Sequence, residues 1–227
     1  VERIDASTRP FKVWVEGEEF QSQTLIICTG AEAIWLGAEG EDEQKGRGIS
    51  TCATCDGAFF RDQEIMVIGG GDSAMEEATF LTRFASKVTV VHRRDTFRAS
   101  KVMYDRAAAH PKIEIKTFRQ VTKWLSDESG LTGALLEDPR DGSTEELAVT
   151  GAFIAIGHKP ITAFLENQIE TDEEGYIVPK GFSMTSVPGI FAAGDVVDTR
   201  YRQAITAAGM GCAAAIDAER WLEENLH

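Results

Sequence analysis

The sequence predicts an α/β fold built on parallel strands, and three observations carry that prediction. Ile65–Ile68 is a short apolar run of buried-strand character that opens into Gly69-Gly70-Gly71-Asp72-Ser73-Ala74. From Ser73 to Phe84 the spacing turns helical, with Ala74, Ala78 and Leu81 on one face, and a second strand follows at Lys87–Val91. Two further apolar runs, Thr24–Cys28 and Gly189–Ala193, also end in small-residue turns. Turns of that kind lie where an open α/β sheet meets its ligand.

The glycine turn is the most informative stretch. Gly69-x-Gly71-x-x-Ala74 falls between a strand and a helix, the context that a dinucleotide fingerprint requires. Gly69 permits the tight turn, Gly71 lets the backbone approach a pyrophosphate, and Ala74 allows close packing of helix on strand. The helix N-terminus offers free N–H groups and a positive dipole end to the same anion. An ordinary Gly-rich turn would share the pattern, so the next strand has to decide.

That strand ends in His92-Arg93-Arg94-Asp95-Thr96-Phe97-Arg98. A site for NAD would place an acidic residue about 20 positions after the first glycine, to bind ribose hydroxyls. This chain has His92, Arg93 and Arg94 there. Guanidinium groups bind a 2′-phosphate bidentately, whereas a carboxylate repels it. At roughly 1.5–3 kcal/mol per charge-assisted bond, two arginines imply a preference of about 10²–10⁴ for the phosphorylated cofactor. The expected cofactor is NADPH, and a merely solvated basic turn is the plainer alternative.

Composition narrows the class. The chain has 227 residues, 43% of them hydrophobic, enough for one large or two modest domains. Its net charge of −14 argues against nucleic acid and anionic membranes as partners. Within so acidic a protein the Arg93–Arg98 cluster is a local exception, which strengthens its reading as an anion site. No run approaches the length of a membrane span, and no signal-peptide pattern is present, so a cytoplasmic location is expected. The chain begins at Val1, which suggests that an earlier part of the protein is absent.

The cysteines are Cys28, Cys52, Cys55 and Cys212. Without a secretory signal, the close pair Cys52-Ala53-Thr54-Cys55 reads as redox-active or metal-binding rather than as part of a disulfide framework. A structural zinc would need a second ligand pair, and His92, His110, His158 and His227 do not supply one, so no metal is expected. Cys28 and Cys212 read as small core residues. A thiol pair just ahead of a dinucleotide turn points to electron transfer between a nicotinamide and a disulfide. Asp56 follows the pair at once. A carboxylate beside a thiolate raises the thiol pKa, which suits a proton donor to a departing thiolate better than an activator. Asp56 as a turn or cap residue before Gly57 remains the alternative.

Other segments frame this centre. Residues 34–49 are Gly-rich and charged, as a hinge or linker would be. A helix is expected over Ala99–Ala109, then strands at Ile113–Phe118, Val121–Leu125, Gly133–Glu137 and Ala148–Ile156. Ile156-Gly157-His158-Lys159-Pro160 reads as a second hinge, followed by a short helix and a strand pair near Tyr176–Val178. Thr29-Gly30 is a candidate ligand turn, although a plain β-turn would look the same. Gly194-Asp195 ends a buried strand, with Asp195 placed to bind a polyol hydroxyl. A long helix runs from Arg202-Gln203-Ala204 to Glu224, and its N-terminus could stabilise negative charge; an ordinary core helix is the other reading.

Assembled, these motifs resemble the low-molecular-weight thioredoxin reductases, NADPH-dependent flavoprotein disulfide reductases. ICTGA at 27–31, CATCDG at 52–57, GGGDSAMEEA at 69–78, HRRDTFRAS at 92–100, AIGHKP at 155–160, FAAGDVVD at 191–198 and YRQAITAAGMGCAAA at 201–215 carry the resemblance, in the family's order. The resemblance implies two Rossmann-like domains of the glutathione reductase type. Residues 1–33 and 158–227 would form a discontinuous FAD domain, incomplete because the family's N-terminal FAD-binding glycine turn is not seen before Val13. Residues 34–157 would form the NADPH and redox-disulfide domain, rotating about the two hinges. NADPH would be held by Gly70, Gly71, Asp72 and Ser73 with Arg93, Arg94 and Arg98. FAD would lie near Thr29, Gly30, Gly194, Asp195, Arg202, Gln203 and Ala204, and Ile156 and Gly157 would be further cofactor-binding residues. Electrons would pass from NADPH through FAD to the Cys52–Cys55 disulfide, Cys55 lying next to the flavin and Cys52 attacking the disulfide of thioredoxin. The same resemblance implies a homodimer. The alternatives are a related flavoenzyme reducing a small-molecule disulfide or serving a peroxidase, and an NADPH-binding module without catalysis.

Overall fold

The computed structural model describes residues 1–225 and divides into two units, Val1–Glu32 with the segment from His158 onward, and Ala33–Gly157. His227 lies outside the described residues. In the first unit, β1 (Arg3–Asp5), β2 (Phe11–Val15) and β3 (Glu18–Ser22) form an antiparallel sheet, followed by β4 (Leu25–Ile27) and β5 (Ala31–Ala33).

The second unit then contains α1 (Glu41–Gln44), β6 (Ile49–Ser50), α2 (Ala53–Asp56), β7 (Glu64–Ile68), α3 (Asp72–Leu81) and β8 (Lys87–His92). It continues through α4 (Lys101–Ala108), β9 (Ile113–Thr117), β10 (Gln120–Asp127), β11 (Gly130–Glu137), β12 (Thr144–Ala148) and β13 (Gly151–Ile154). The first unit resumes with β14 (His158–Pro160), β15 (Ile190–Ala192) and the long helix α5 (Ala204–Asn225).

The heart of the second unit is a five-stranded parallel sheet in the order β6-β13-β7-β8-β9. Its central residues Ile65, Met66 and Val67 are wholly buried, as a sheet covered on both faces demands. Ile65 and Val67 face Ala74, Met75, Ala78 and Leu81 of α3. Met66 and Ile68 face the other way, against Trp124, Leu131 and Leu136 of the antiparallel sheet β10-β11-β12. Each such side chain contributes roughly 1.5–3 kcal/mol by leaving water. This layering fixes the strand ends that carry the turns of interest.

Several elements differ from the sequence expectation. β12 is an addition to the expected strands: in Thr144–Ala148 the exposed Thr144, Glu146 and Ala148 alternate with the half-buried Glu145 and Leu147, so no apolar run marks the edge strand. Residues 34–49 are packed rather than loose: Trp35, Leu36 and Ala38 lie against the core, and the buried Glu41 carboxylate accepts N–H bonds from Leu36 (3.2 Å) and Gly37 (2.8 Å). Near Tyr176–Val178 there is a single bridge, Thr171 to Ile177, in place of a strand pair.

Cys28 and Cys212 are exposed, not core. On α5 the buried stripe is Ala214 and Ala218, flanked by Met210 and Trp221, against Phe191 and Ala193. Cys212 lies two residues from both Met210 and Ala214, about 200° around the helix from each, and so off that stripe. Cys28 follows the last residue of the short strand β4, and burial of its thiol is partial, enough to push its pKa up.

Candidate active site

In the second unit the C-terminal ends of β7, β8 and β13 converge on a cavity of about 700 Å³. Gly69, Gly70, Gly71 and Ser73 line it, as do His92, Arg93, Arg94, Arg98, Ile156 and Gly157. Gly69 has φ +157°, and a Cβ there would meet Ala155 O at 2.4 Å and Ala74 Cβ at 2.8 Å, so no larger residue fits. A Cβ on Gly71 would meet nothing within 4 Å, which leaves its backbone open at the N-cap of α3. The turn therefore combines close strand–helix packing on one side with an accessible helix N-terminus on the other.

The glycine turn and the basic turn are tied by backbone. The carbonyl of Gly70 accepts from Arg98 N–H (2.8 Å) and Ala99 N–H (3.0 Å). Asp72 does not line the cavity; its Oδ1 accepts Ser100 N–H at 2.6 Å, just before α4. His92 packs beneath the turn, so that a Cβ on Gly70 would collide with its ring, and that ring lies against Phe97 with centroids 4.6 Å apart and planes tilted by 36°. Burial, with Arg93, Arg94 and Arg98 adding to it, pushes the imidazole pKa down. The three arginines themselves make no ion pair with a carboxylate among the described residues, which leaves their charge available to an anion.

Cys52 and Cys55 form a disulfide with Cα atoms 5.3 Å apart, Cys52 at the N-cap of α2. Cys52 is half-buried and Cys55 exposed. Ser50, buried at the end of β6, organises the pair: its hydroxyl accepts Cys52 N–H at 3.0 Å and donates to Asp56 Oδ2 at 2.6 Å. Asp56 thus closes α2 with its carboxylate held toward the start of that short helix.

In the first unit, β4 and β15 pair in parallel, so Thr29-Gly30 and Gly194-Asp195 follow neighbouring strand ends. Thr29 Oγ1 donates to Ile161 O at 2.7 Å, and Gly30 and Gly194 have φ +76° and +77°. Asp195 Oδ1, His158 Nδ1 and Arg202 Nε are buried without hydrogen-bond partners among the described residues. Burial, with Arg202 contributing, lowers the His158 pKa, while Asp195 opposes that shift. Orphaned polar atoms after β15, at the start of β14 and just before α5 fit a polar ligand such as the ribityl or pyrophosphate part of FAD. Gln203 and Ala204 lie at the start of α5, with Ala207 N–H bonded to Gln203 O at 2.9 Å. Ser50 and the cavity-lining Arg119 and Gln120 are marked by no local motif, and His158, although inside AIGHKP, reads there only as part of a hinge.

The pyridine nucleotide-disulphide oxidoreductase family matches residues 1–211. The thioredoxin reductase of Mycolicibacterium smegmatis is 55% identical over 95% of this chain and 70% of its own. The chain belongs to the thioredoxin reductases. Thioredoxin reductase 2 of Arabidopsis thaliana is 52% identical, over 99% of this chain but 61% of its own length. The solved thioredoxin reductase of Giardia duodenalis superposes with a TM-score of 0.91 at 45% identity, covering 98% of this chain and 74% of that one. The chain thus spans between about three-fifths and three-quarters of these relatives. Thioredoxin reductases depend on FAD and NADPH, and both the Cys52–Cys55 disulfide and the α/β fold agree with that family.

Proposed function

We propose that this chain carries the NADPH-handling and disulfide-reducing machinery of a thioredoxin reductase. The observation that carries the reading is the backbone union of the glycine turn with the Arg93–Arg98 turn around one cavity, next in sequence to a formed Cys-x-x-Cys disulfide. Gly70, Gly71 and Ser73 with the amides of α3 hold the pyrophosphate, and Arg93, Arg94 and Arg98 hold the 2′-phosphate. Asp72 braces the basic turn from outside the cavity.

FAD, when bound, supplies a relay for two electrons between the nicotinamide and the disulfide. Thr29, Gly30, Gly194, Asp195, His158 and Arg202, with Gln203 and Ala204 at the head of α5, provide its polar partners. Cys52 and Cys55 end as thiols: one electron pair and two protons break the S–S bond, and Asp56, held by Ser50, is placed to donate one proton. The reduced pair then passes both electrons to a thioredoxin disulfide, with Cys52 as the attacking thiolate. Ile156–Gly157 and the segment near Trp35–Gly37, where the chain passes between the two units, would serve as hinges. A cytoplasmic homodimer completes the proposal.

The test is NADPH oxidation followed by absorbance with oxidised thioredoxin, using protein supplied with FAD. Thioredoxin-dependent turnover, lost in Cys52→Ser, is expected; oxidation indifferent to thioredoxin would overturn the reading.

A further inference from the structure

The cavity holds a fourth arginine, Arg119, whose surroundings differ from those of the other three. It follows β9, one strand beyond the basic turn, and is delivered by Phe118, a non-glycine residue at φ +51°. Strained backbone of that kind persists where the surrounding structure over-determines it, often at ligand sites. Arg119 N–H donates to His92 O at 3.0 Å, which fastens the turn to the end of β8.

The guanidinium is held on one edge. Its Nε donates to Glu145 Oε1 at 2.6 Å, and Nη1 donates to Asp138 Oδ2 at 2.9 Å and to Phe118 O at 2.8 Å. Two carboxylates therefore compensate its charge, and Asp138 is further paired with Arg140. Nη2 makes no hydrogen bond among the described residues. A cation so compensated and fixed is a poor phosphate ligand, whereas its planar face suits stacking on an aromatic ring.

Position says which ring. A dinucleotide lying across the strand ends puts its pyrophosphate at the turn after β7 and its ribose phosphate at the turn after β8. The next station in the order β7-β8-β9 belongs to the base. Resting on the NADPH reading above, we infer that Arg119 binds the adenine base of the cofactor, held in place by Glu145 and Asp138, and contributes affinity without discriminating between NADPH and NADH.

The test titrates the 227-residue chain and its Arg119→Ala and Arg119→Lys variants with NADPH, NADH and reduced nicotinamide mononucleotide, which has no base. In Arg119→Ala the dissociation constants for NADPH and NADH should rise together, by about tenfold, as loss of one stacked cation implies. Binding of the mononucleotide, measured by competition where weak, should not change. Arg119→Lys keeps the charge but not the plane and should resemble the alanine variant. Weakening confined to NADPH would make Arg119 a phosphate ligand and overturn the inference. Equal loss for all three ligands, or no loss for any, would overturn it too. If the unmodified chain shows no preference for NADPH over NADH, the underlying reading fails instead, a result visible before any variant is made.

Discussion

Ser50 holds Asp56: its hydroxyl donates to the carboxylate at 2.6 Å while accepting the Cys52 N–H at 3.0 Å. One buried side chain thereby holds both the Cys52 amide and the Asp56 carboxylate, the residues proposed above to attack and to protonate. Ser50→Ala leaves the half-buried Asp56 carboxylate and the Cys52 amide each short of a partner, costing about 1 kcal/mol of stability. Urea unfolding should register that loss. Reduction of the Cys52–Cys55 disulfide by a small dithiol should slow, with NADPH affinity unchanged; an unaltered rate would remove Ser50 from the mechanism.

Gly70 has no room for a methyl group, because His92 Cε1 stands 2.3 Å from the Cβ position. Gly70→Ala should weaken NADPH at least about tenfold by pushing the ring or the turn aside. The double variant Gly70→Ala/His92→Ala should recover part of that loss, a non-additive result that a double-mutant cycle detects. Strict additivity would show that the two residues do not act on each other.

Arg94→Ala and Arg98→Ala should each reduce the preference for NADPH over NADH, by roughly 10- to 100-fold for a charge-assisted phosphate contact. Affinity for NADH should barely move. The salt dependence of NADPH binding should flatten in the same variants. Titrations at two ionic strengths check all three expectations.

Much of this site was legible because its signals are local. The run Ile65–Ala74 and the turn His92–Arg98 each declare strand, turn and charge within a few residues, and the structure joins them through Gly70 O. What was not legible depends on how the chain turns back on itself. Ser50 gains meaning only when the short helix α2 brings Asp56, six residues on, to its hydroxyl, and Arg119 only beside Glu145, 26 residues on. The packed segment after Ala33 read as a linker because its glycines and charges resemble one, yet Glu41 satisfies the amides of Leu36 and Gly37. Cys28 and Cys212 misled for the opposite reason: a small apolar residue in an apolar run says nothing about which side of its element is covered.

Acid should destabilise the protein in two stages. Burial lowers the pKa of His92 and His158 from the usual 6.5, so the unfolded chain binds protons more readily and stability falls as pH drops below about 6.5. The carboxylates of Glu145 and Asp138 are lowered by hydrogen bonds from Arg119 and Arg140 respectively, and their contribution is lost only below their ordinary values near 4.5 and 3.8. Thermal unfolding from pH 8 to 3 should show both steps. In His92→Gln/His158→Gln the first step should shrink, and its persistence would mean that other groups are responsible.

The tie between Gly70 and the basic turn is made by main-chain amides, not by the arginines' own guanidinium groups. What anchors the turn is therefore separable from what reads the ligand. Side chains at 93, 94 and 98 can be exchanged while the same peptide groups keep the loop in place, so the choice between two nicotinamide cofactors can drift in evolution, or be redirected by design, without rebuilding the surrounding architecture.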